Sequence, residues 1–152
     1  MTLNNNQPNT TPDSTGLSLC QLNCRSLLPR FSHLEQMILT EWKCEIVCLS
    51  ETWLSSAIPN SFLFIPSFSL FRHDRPQGKH GGLLVYASSH LGLQRRADLE
   101  DPDIECIVLE LSLHQSGRFL ISFCYQPPSY PPGIFFNRLW SAISKDPPAS
   151  SS

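Results

Sequence analysis

The feature that most constrains this chain is the order in which it opens: an apolar run over residues 17–23, an amphipathic stretch over 31–42, and a second apolar run over 45–50. In the first run Leu17, Leu19, Gln21 and Asn23 share a face at a period of two, which predicts a strand. Phe31, Leu34, Ile38 and Trp42 follow near helical spacing. Pro29 precedes them, and Ser32 with Glu35 has the spacing of a capping box. A strand, helix, strand unit crosses over right-handed and makes its strands parallel. Asn23 and Glu51 then leave the sheet at the same edge, outside the strand C-termini, where ligands bind in sheets of this kind. In a strand Val47, Leu49 and Glu51 share a face, so Glu51 continues an apolar face instead of joining Ser50 in solvent. A lone carboxylate in that place calls for a metal ion or a cationic partner.

Residues 68–72, 83–88, 104–111 and 118–125 are rich in β-branched and aromatic residues and are bounded by Pro and Gly, which predicts four more strands. No helical pattern interrupts residues 68–125, so the pairing there is expected to be antiparallel. Gly81 and Gly82 mark a turn or a close backbone approach. The proline-rich run 126–132 can only be a loop. A last helix follows, with Ile134, Phe135, Leu139, Trp140 and Ile143 as its apolar side. Polar residues 1–16 and the Pro- and Ser-rich residues 146–152 read as disordered tails around an ordered portion, 17–145.

The formal net charge is -2 and the sequence pI about 6.2, so no global basic field advertises nucleic acid, and any such contact must be local. The N-terminal segment has no apolar core, which argues against secretion, a membrane span or any membrane partner. The expected compartment is intracellular, nuclear or cytoplasmic, and reducing. Six cysteines sit mostly inside apolar runs. The Cys20/Cys24 and Cys44/Cys48 spacings admit zinc, but positions i and i+4 of a strand are also same-face core positions, so free structural thiols are the expectation.

Tyr125 ends its predicted strand as Asn23 and Glu51 end theirs, each closing an apolar face with one polar residue. An amide, a carboxylate and a phenol suit phosphoryl chemistry. A carboxylate can hold Mg²⁺ while the ion keeps water and phosphate oxygens, and Asn and Tyr can orient the phosphate by hydrogen bonds. The bland alternative is that strand ends are polar because they meet solvent.

The words around these residues are more specific. Leu22-Asn23-Cys24-Arg25-Ser26-Leu27, Leu49-Ser50-Glu51-Thr52-Trp53-Leu54, Arg72-His73-Asp74-Arg75 leading to Gly81-Gly82-Leu83-Leu84-Val85-Tyr86, and Tyr125-Gln126-Pro127-Pro128 occur in that order. Together they resemble the endonuclease/exonuclease/phosphatase superfamily, and within it the apurinic-type endonuclease domain of non-LTR retrotransposons. The resemblance spans roughly residues 17–143 and implies the N-terminal portion of an α/β (α+β) domain, a partial sandwich of two mixed β-sheets flanked by helices. It implies a nuclease that nicks DNA with Mg²⁺ or Mn²⁺, with Glu51 as metal ligand, Asn23 beside the metal and phosphate, and Tyr125 hydrogen-bonded on the phosphate side. Gln126 stands where the family commonly has Arg, or Pro and Asn.

The family's later Gly-Asp-Phe-Asn-like word and Asp-His pair are absent from the sequence. The resemblance therefore implies a truncated site that binds its metal weakly and is inactive alone, reaching DNA only through the complete domain. His33, His73, His80, His90 and His114 are read as solvated or core-edge residues, and Arg72, Asp74 and Arg75 either line a DNA groove or form a solvated turn. Two other readings stay open. One is a phosphatase of the same superfamily acting on a small phosphorylated molecule or lipid. The other is a non-catalytic remnant or binding module that self-associates through uncovered sheet surface.

Overall fold

The computed structural model of the protein describes residues 16–76 and 80–148. The expected N-terminal tail lies outside these residues apart from Gly16, as do the last four residues of the expected C-terminal tail. The first sheet contains β1 (Leu19–Asn23), β2 (Ile46–Ser50), β3 (Phe68–His73) and β4 (Leu83–Ser88), in the order β1-β2-β4-β3. The opening unit forms as expected, with β1 parallel to β2, while β4 runs antiparallel to both β2 and β3. The second sheet is antiparallel throughout: β5 (Gln94–Arg95), β6 (Glu105–Leu113) and β7 (Gly117–Tyr125), in that order. The two-residue β5 carries too short a pattern to be read from sequence.

Between β1 and β2, helix α1 (Phe31–Met37) runs on as a π-helical turn, Ile38–Trp42, and stops at Lys43, whose φ is +48°. The expected Ser32/Glu35 capping box does not form. A 3-10 turn begun around Pro29 feeds directly into the helix, so Ser32 is already inside its first turn and Arg30 occupies the cap with no side-chain hydrogen bond.

Strands β2 and β4 are buried on both faces, which is why they read as unbroken apolar runs. On one side Val47, Leu49, Leu84 and Tyr86 pack with Leu34 and Ile38 of the helical layer and with Leu63 and Ile65. On the other, Ile46, Cys48, Leu83 and Val85 meet Ile107, Leu109 and Phe123 of the second sheet. Each fully buried aliphatic side chain contributes about 1.5–3 kcal/mol. Helix α2 (Pro132–Ile143) seats Phe135 against Ile104 and Cys106.

All six cysteines are free thiols. Burial pushes Cys48 up to about 12 and Cys24 and Cys106 up to about 11, far from the thiolate range that supports reactivity. Asp146, the first residue of the expected C-terminal tail, accepts hydrogen bonds from Arg96 Nη1 (3.0 Å) and Arg118 Nη1 (2.8 Å).

Candidate metal and phosphate site

Asn23, Glu51 and Tyr125 come from β1, from the residue after β2 and from β7, and they line one open pocket of about 460 Å³ together with Arg25, Trp53 and His80. The parallel β1–β2 pair, with Asn23 opposite Ser50, delivers the first two to the same edge. Tyr125 arrives from the second sheet, so the pocket lies where the two sheets meet.

The face expected for Glu51 is corrected by the structure. Val47 and Leu49 point into the helical layer, but Glu51 has φ +57° and Trp53 φ +54°, so the strand alternation ends at Ser50. The left-handed residue swings the carboxylate toward Tyr125 and the second sheet. Such a conformation is costly for a residue with a Cβ and persists only where surrounding bonds hold it. Here Ser26 N–H donates to Glu51 O (2.9 Å), Leu27 N–H to Thr52 O (3.0 Å) and Trp53 N–H to Gly81 O (2.9 Å). Residues 51–53 are thus pinned between the β1–α1 connection and the start of β4.

Two donors meet at Oε2 of the carboxylate: Trp53 Nε1–H at 2.6 Å and the Gly81 N–H at 3.1 Å. Burial opposes ionisation of Glu51, but hydrogen bonds from Tyr125, Trp53 and Gly81 and the charge of Arg75 outweigh it. The carboxyl is therefore held below its usual range. Tyr125 responds in the opposite sense. Its hydrogen bond to Glu51, then burial and the Glu51 and Glu105 charges, push the phenol up to about 12, so it is a firm proton-bearing donor at neutral pH.

A second carboxylate lies behind the first. Glu105 is the cross-strand partner of Tyr125, so both share a face of the second sheet. It is almost fully buried, takes the Gly82 N–H on Oε1 at 2.7 Å and pairs with Arg75 Nη2 through Oε2 at 2.8 Å. The adjacent amides of Gly81 and Gly82 therefore each serve one carboxylate. Glycine is required at both positions: φ is +83° and +94°, and an added Cβ would run into the Arg75 side chain at Gly81 and Thr52 Oγ1 at Gly82. The close approach read from this doublet is thus a two-toothed latch, with Gly81 tied to Glu51 within the first sheet and Gly82 tied to Glu105 across to the second.

The sequence reading missed Glu105, Arg25 and His80. His80, read as solvated or core-edge, is exposed and packs its ring edgewise on Trp53 with centroids 4.6 Å apart. The two arginines flanking Asp74 separate in role. Arg72 is a structural clamp, donating to Ile58 O (2.7 Å), Asn60 Oδ1 (2.9 Å) and Ser55 O (3.1 Å) while paired with Asp74. Arg75 pairs with Glu105 beside the site, and its charge acts on Glu51. Gln126 is turned inward, its Nε2–H donating to Tyr130 O at 2.9 Å, which braces the loop after β7.

The ionised Glu51 carboxylate and the Asn23 amide oxygen are hard oxygen donors on one wall. That set fits Mg²⁺ or Mn²⁺, which takes one or two carboxylates and completes its shell with water and substrate phosphate. Among the described residues no group of three or more His, Cys, Asp or Glu side chains is placed to cage an ion, so water and phosphate would have to supply most of the shell.

No protein-family model and no curated protein matches the sequence. Solved structures do match the fold. An AP endonuclease from Leishmania major superposes with a TM-score of 0.60 at 19% identity, over 83% of this chain and 44% of that one. A 3′ phosphatase from Neisseria, bound to a product DNA hairpin, gives 0.54 at 14% identity over 86% and 51%. A 3′-5′ exonuclease from Neisseria meningitidis gives 0.53 at 13% identity over 84% and 50%. The architecture is that of a partial endonuclease/exonuclease/phosphatase-type sandwich, and the chain spans about half the length of these structures.

Proposed function

We propose that this chain carries the metal-carboxylate half of a DNA phosphodiesterase site of the retrotransposon endonuclease type. The observation that carries the proposal is the convergence of Asn23, Glu51 and Tyr125, from three strands in two sheets, on one pocket. Among the fold's neighbours are an AP endonuclease and a 3′ phosphatase bound to a product DNA hairpin. The retrotransposon branch rests on the Ser50-Glu51-Thr52-Trp53 and Tyr125-Gln126-Pro127-Pro128 words.

In this reading Glu51 binds the ion, and its ionised state is secured by Trp53, Gly81 and Tyr125. The bound ion supplies charge stabilisation at the scissile phosphate. Asn23 orients the phosphate by hydrogen bonding, and Tyr125 redirects its one O–H from the Glu51 carboxylate to a phosphate oxygen when substrate binds. No general base belongs to the set. The Gly-Asp-Phe-Asn and Asp-His words that would supply it in the resembling family are not in these 152 residues. Loss of a general base costs ~10²–10⁴-fold in rate, so the chain should hold metal and phosphate with little turnover.

Mn²⁺ titration of tryptophan fluorescence tests the first part, because Trp53 is bonded directly to Glu51. Saturable quenching that Glu51→Gln removes is the expected result, and quenching indifferent to Glu51 overturns the metal assignment. Plasmid nicking with Mg²⁺ tests the second. Robust turnover by this chain that Glu51→Gln abolishes would refute the half-site.

A further inference from the structure

The Glu51 pocket has a neighbour across the loop that follows β7. Along this loop Tyr125 and Pro128 line the Glu51 pocket, while Pro127, Ser129 and Tyr130 line a second pocket of about 340 Å³. Arg75 and Glu105 form part of the second pocket's wall, and Arg75 is close enough to Glu51 for its charge to act there.

A purely structural reading of the Arg75–Glu105 pair is incomplete. Pairing two charges away from water is expensive and is a weak source of stability. Glu105 is nonetheless fully served, with one oxygen on the Gly82 amide and the other on Arg75, and its side chain is 10% exposed. Arg75 is not fully used. Its side chain is 30% exposed, and among the described residues only Nη2 makes a hydrogen bond. A guanidinium anchored by one nitrogen and open on its others is preorganised to take a phosphate, for which its planar fork is suited.

The rest of the second pocket suits what a phosphate would bring with it. Pro76, Pro102 and Pro127 give flat apolar walls, and Tyr130 is half-buried with its ring packed edgewise on Phe135, centroids 5.9 Å apart. The loop is preformed: the Tyr130 N–H donates to Pro127 O at 2.9 Å, and Gln126 holds the Tyr130 carbonyl. An apolar, aromatic-walled cleft beside an arginine matches a nucleoside, whose base has a flat face for stacking and whose phosphate carries the charge.

We propose that this second pocket is a nucleotide subsite, in which Arg75, oriented by Glu105, grips the phosphate next to the one at Glu51 and the cleft beside Tyr130 receives that nucleotide's sugar and base. The subsite rests on the proposed phosphodiesterase reading and gives it a direction: the strand runs from the Glu51 pocket across Arg75 and over the 125–130 loop. Arg75 and Gln126 then have separate tasks, one contacting DNA and the other supporting the wall.

The test is anisotropy of a fluorescein-labelled DNA duplex titrated with the full chain in Mg²⁺ at several salt concentrations. Each phosphate neutralised contributes ~0.9 to the slope of log K against log salt. Arg75→Met should weaken binding about tenfold or more and reduce that slope by about one contact. Ser129→Trp, which fills the cleft with an exposed side chain, should weaken binding at unchanged slope. Arg75→Met leaves Glu105 buried without its partner, so the Arg75→Met/Glu105→Gln pair removes both charges, and a cooperative melt confirms that it is folded. Wild-type affinity and slope in both arginine variants, or wild-type affinity in Ser129→Trp, overturn the subsite. So does a wild-type chain that quenches with Mn²⁺ through Glu51 yet binds no duplex. The Mn²⁺ titration fails independently if the metal reading itself is wrong.

Discussion

Glu51 joins three facts at one residue: a left-handed backbone, two hydrogen bonds to one carboxylate oxygen, and a carboxyl held below its ordinary range. The bonds favour the ionised form, so the stability they lend is present above the ordinary carboxylate pKa of 4.5 and is lost as pH falls through the lower folded value. Glu51→Gln should accordingly flatten the acid limb of the pH–stability curve, measured by urea midpoints from neutral pH downward. An acid limb unchanged in the variant would mean that the network does not favour the charged form. The identity of Glu51 as the residue of interest was legible from its place after an apolar run. Its direction was not, because strand alternation holds only while φ stays extended, and nothing in the local pattern announces a switch to +57°.

At the scale of elements, the two helices are tied down by different physics. Helix α1 is held by apolar burial, with Leu34 and Ile38 in the core. Helix α2 buries Phe135 and Ala142 and leaves Ile134, Phe136 and Trp140 exposed, and a network of charges ties the residues just past its C-terminal end. Arg96 and Arg118 both bind Glu110 and Asp146, and Arg118 Nη2 also reaches the carbonyl of Pro147. These groups face solvent and are screened by salt, so their effect is local. Arg118→Met should speed hydrogen exchange at the amides of Ser144, Lys145 and Asp146, which close the helix end, with little change in the global melting midpoint. Equal exchange in the two proteins would show that apolar packing alone secures this end. Strands β1 to β4, β6 and β7 were each visible as short apolar runs. The capping box was not a reliable sign, because its spacing says nothing of the 3-10 turn that carries the chain past Ser32.

The molecule as a whole has more apolar surface than its core uses. Phe119 on β7 is 50% exposed, and Phe136 and Trp140 on α2 are 60% and 73% exposed, while β7 ends the β5-β6-β7 order with one side unpaired among the described residues. Exposed strand edges and contiguous apolar faces favour association. Sedimentation velocity should show weight-average mass rising with concentration, and Trp140→Glu with Phe136→Glu should lower it. A monomer at all concentrations would mean that this surface is inert.

No helix among the described residues is long and apolar enough to cross a membrane. The sequence by itself determined the strand-helix-strand opening, the antiparallel stretch after residue 68 and the three polar strand ends, because periodicity and strand-terminal position are local properties of the chain. Only the tertiary structure decided that Arg75, the Gly81-Gly82 latch and Glu105 complete the site. Glu51 accepts from an amide 30 residues away, and Glu105 from one 23 residues away and from a guanidinium 30 residues away. Hydrogen bonds and ion pairs between segments so far apart leave no period in the sequence: the Gly81 bond forms only where β2 and β4 pair, and those of Glu105 only when the two sheets pack.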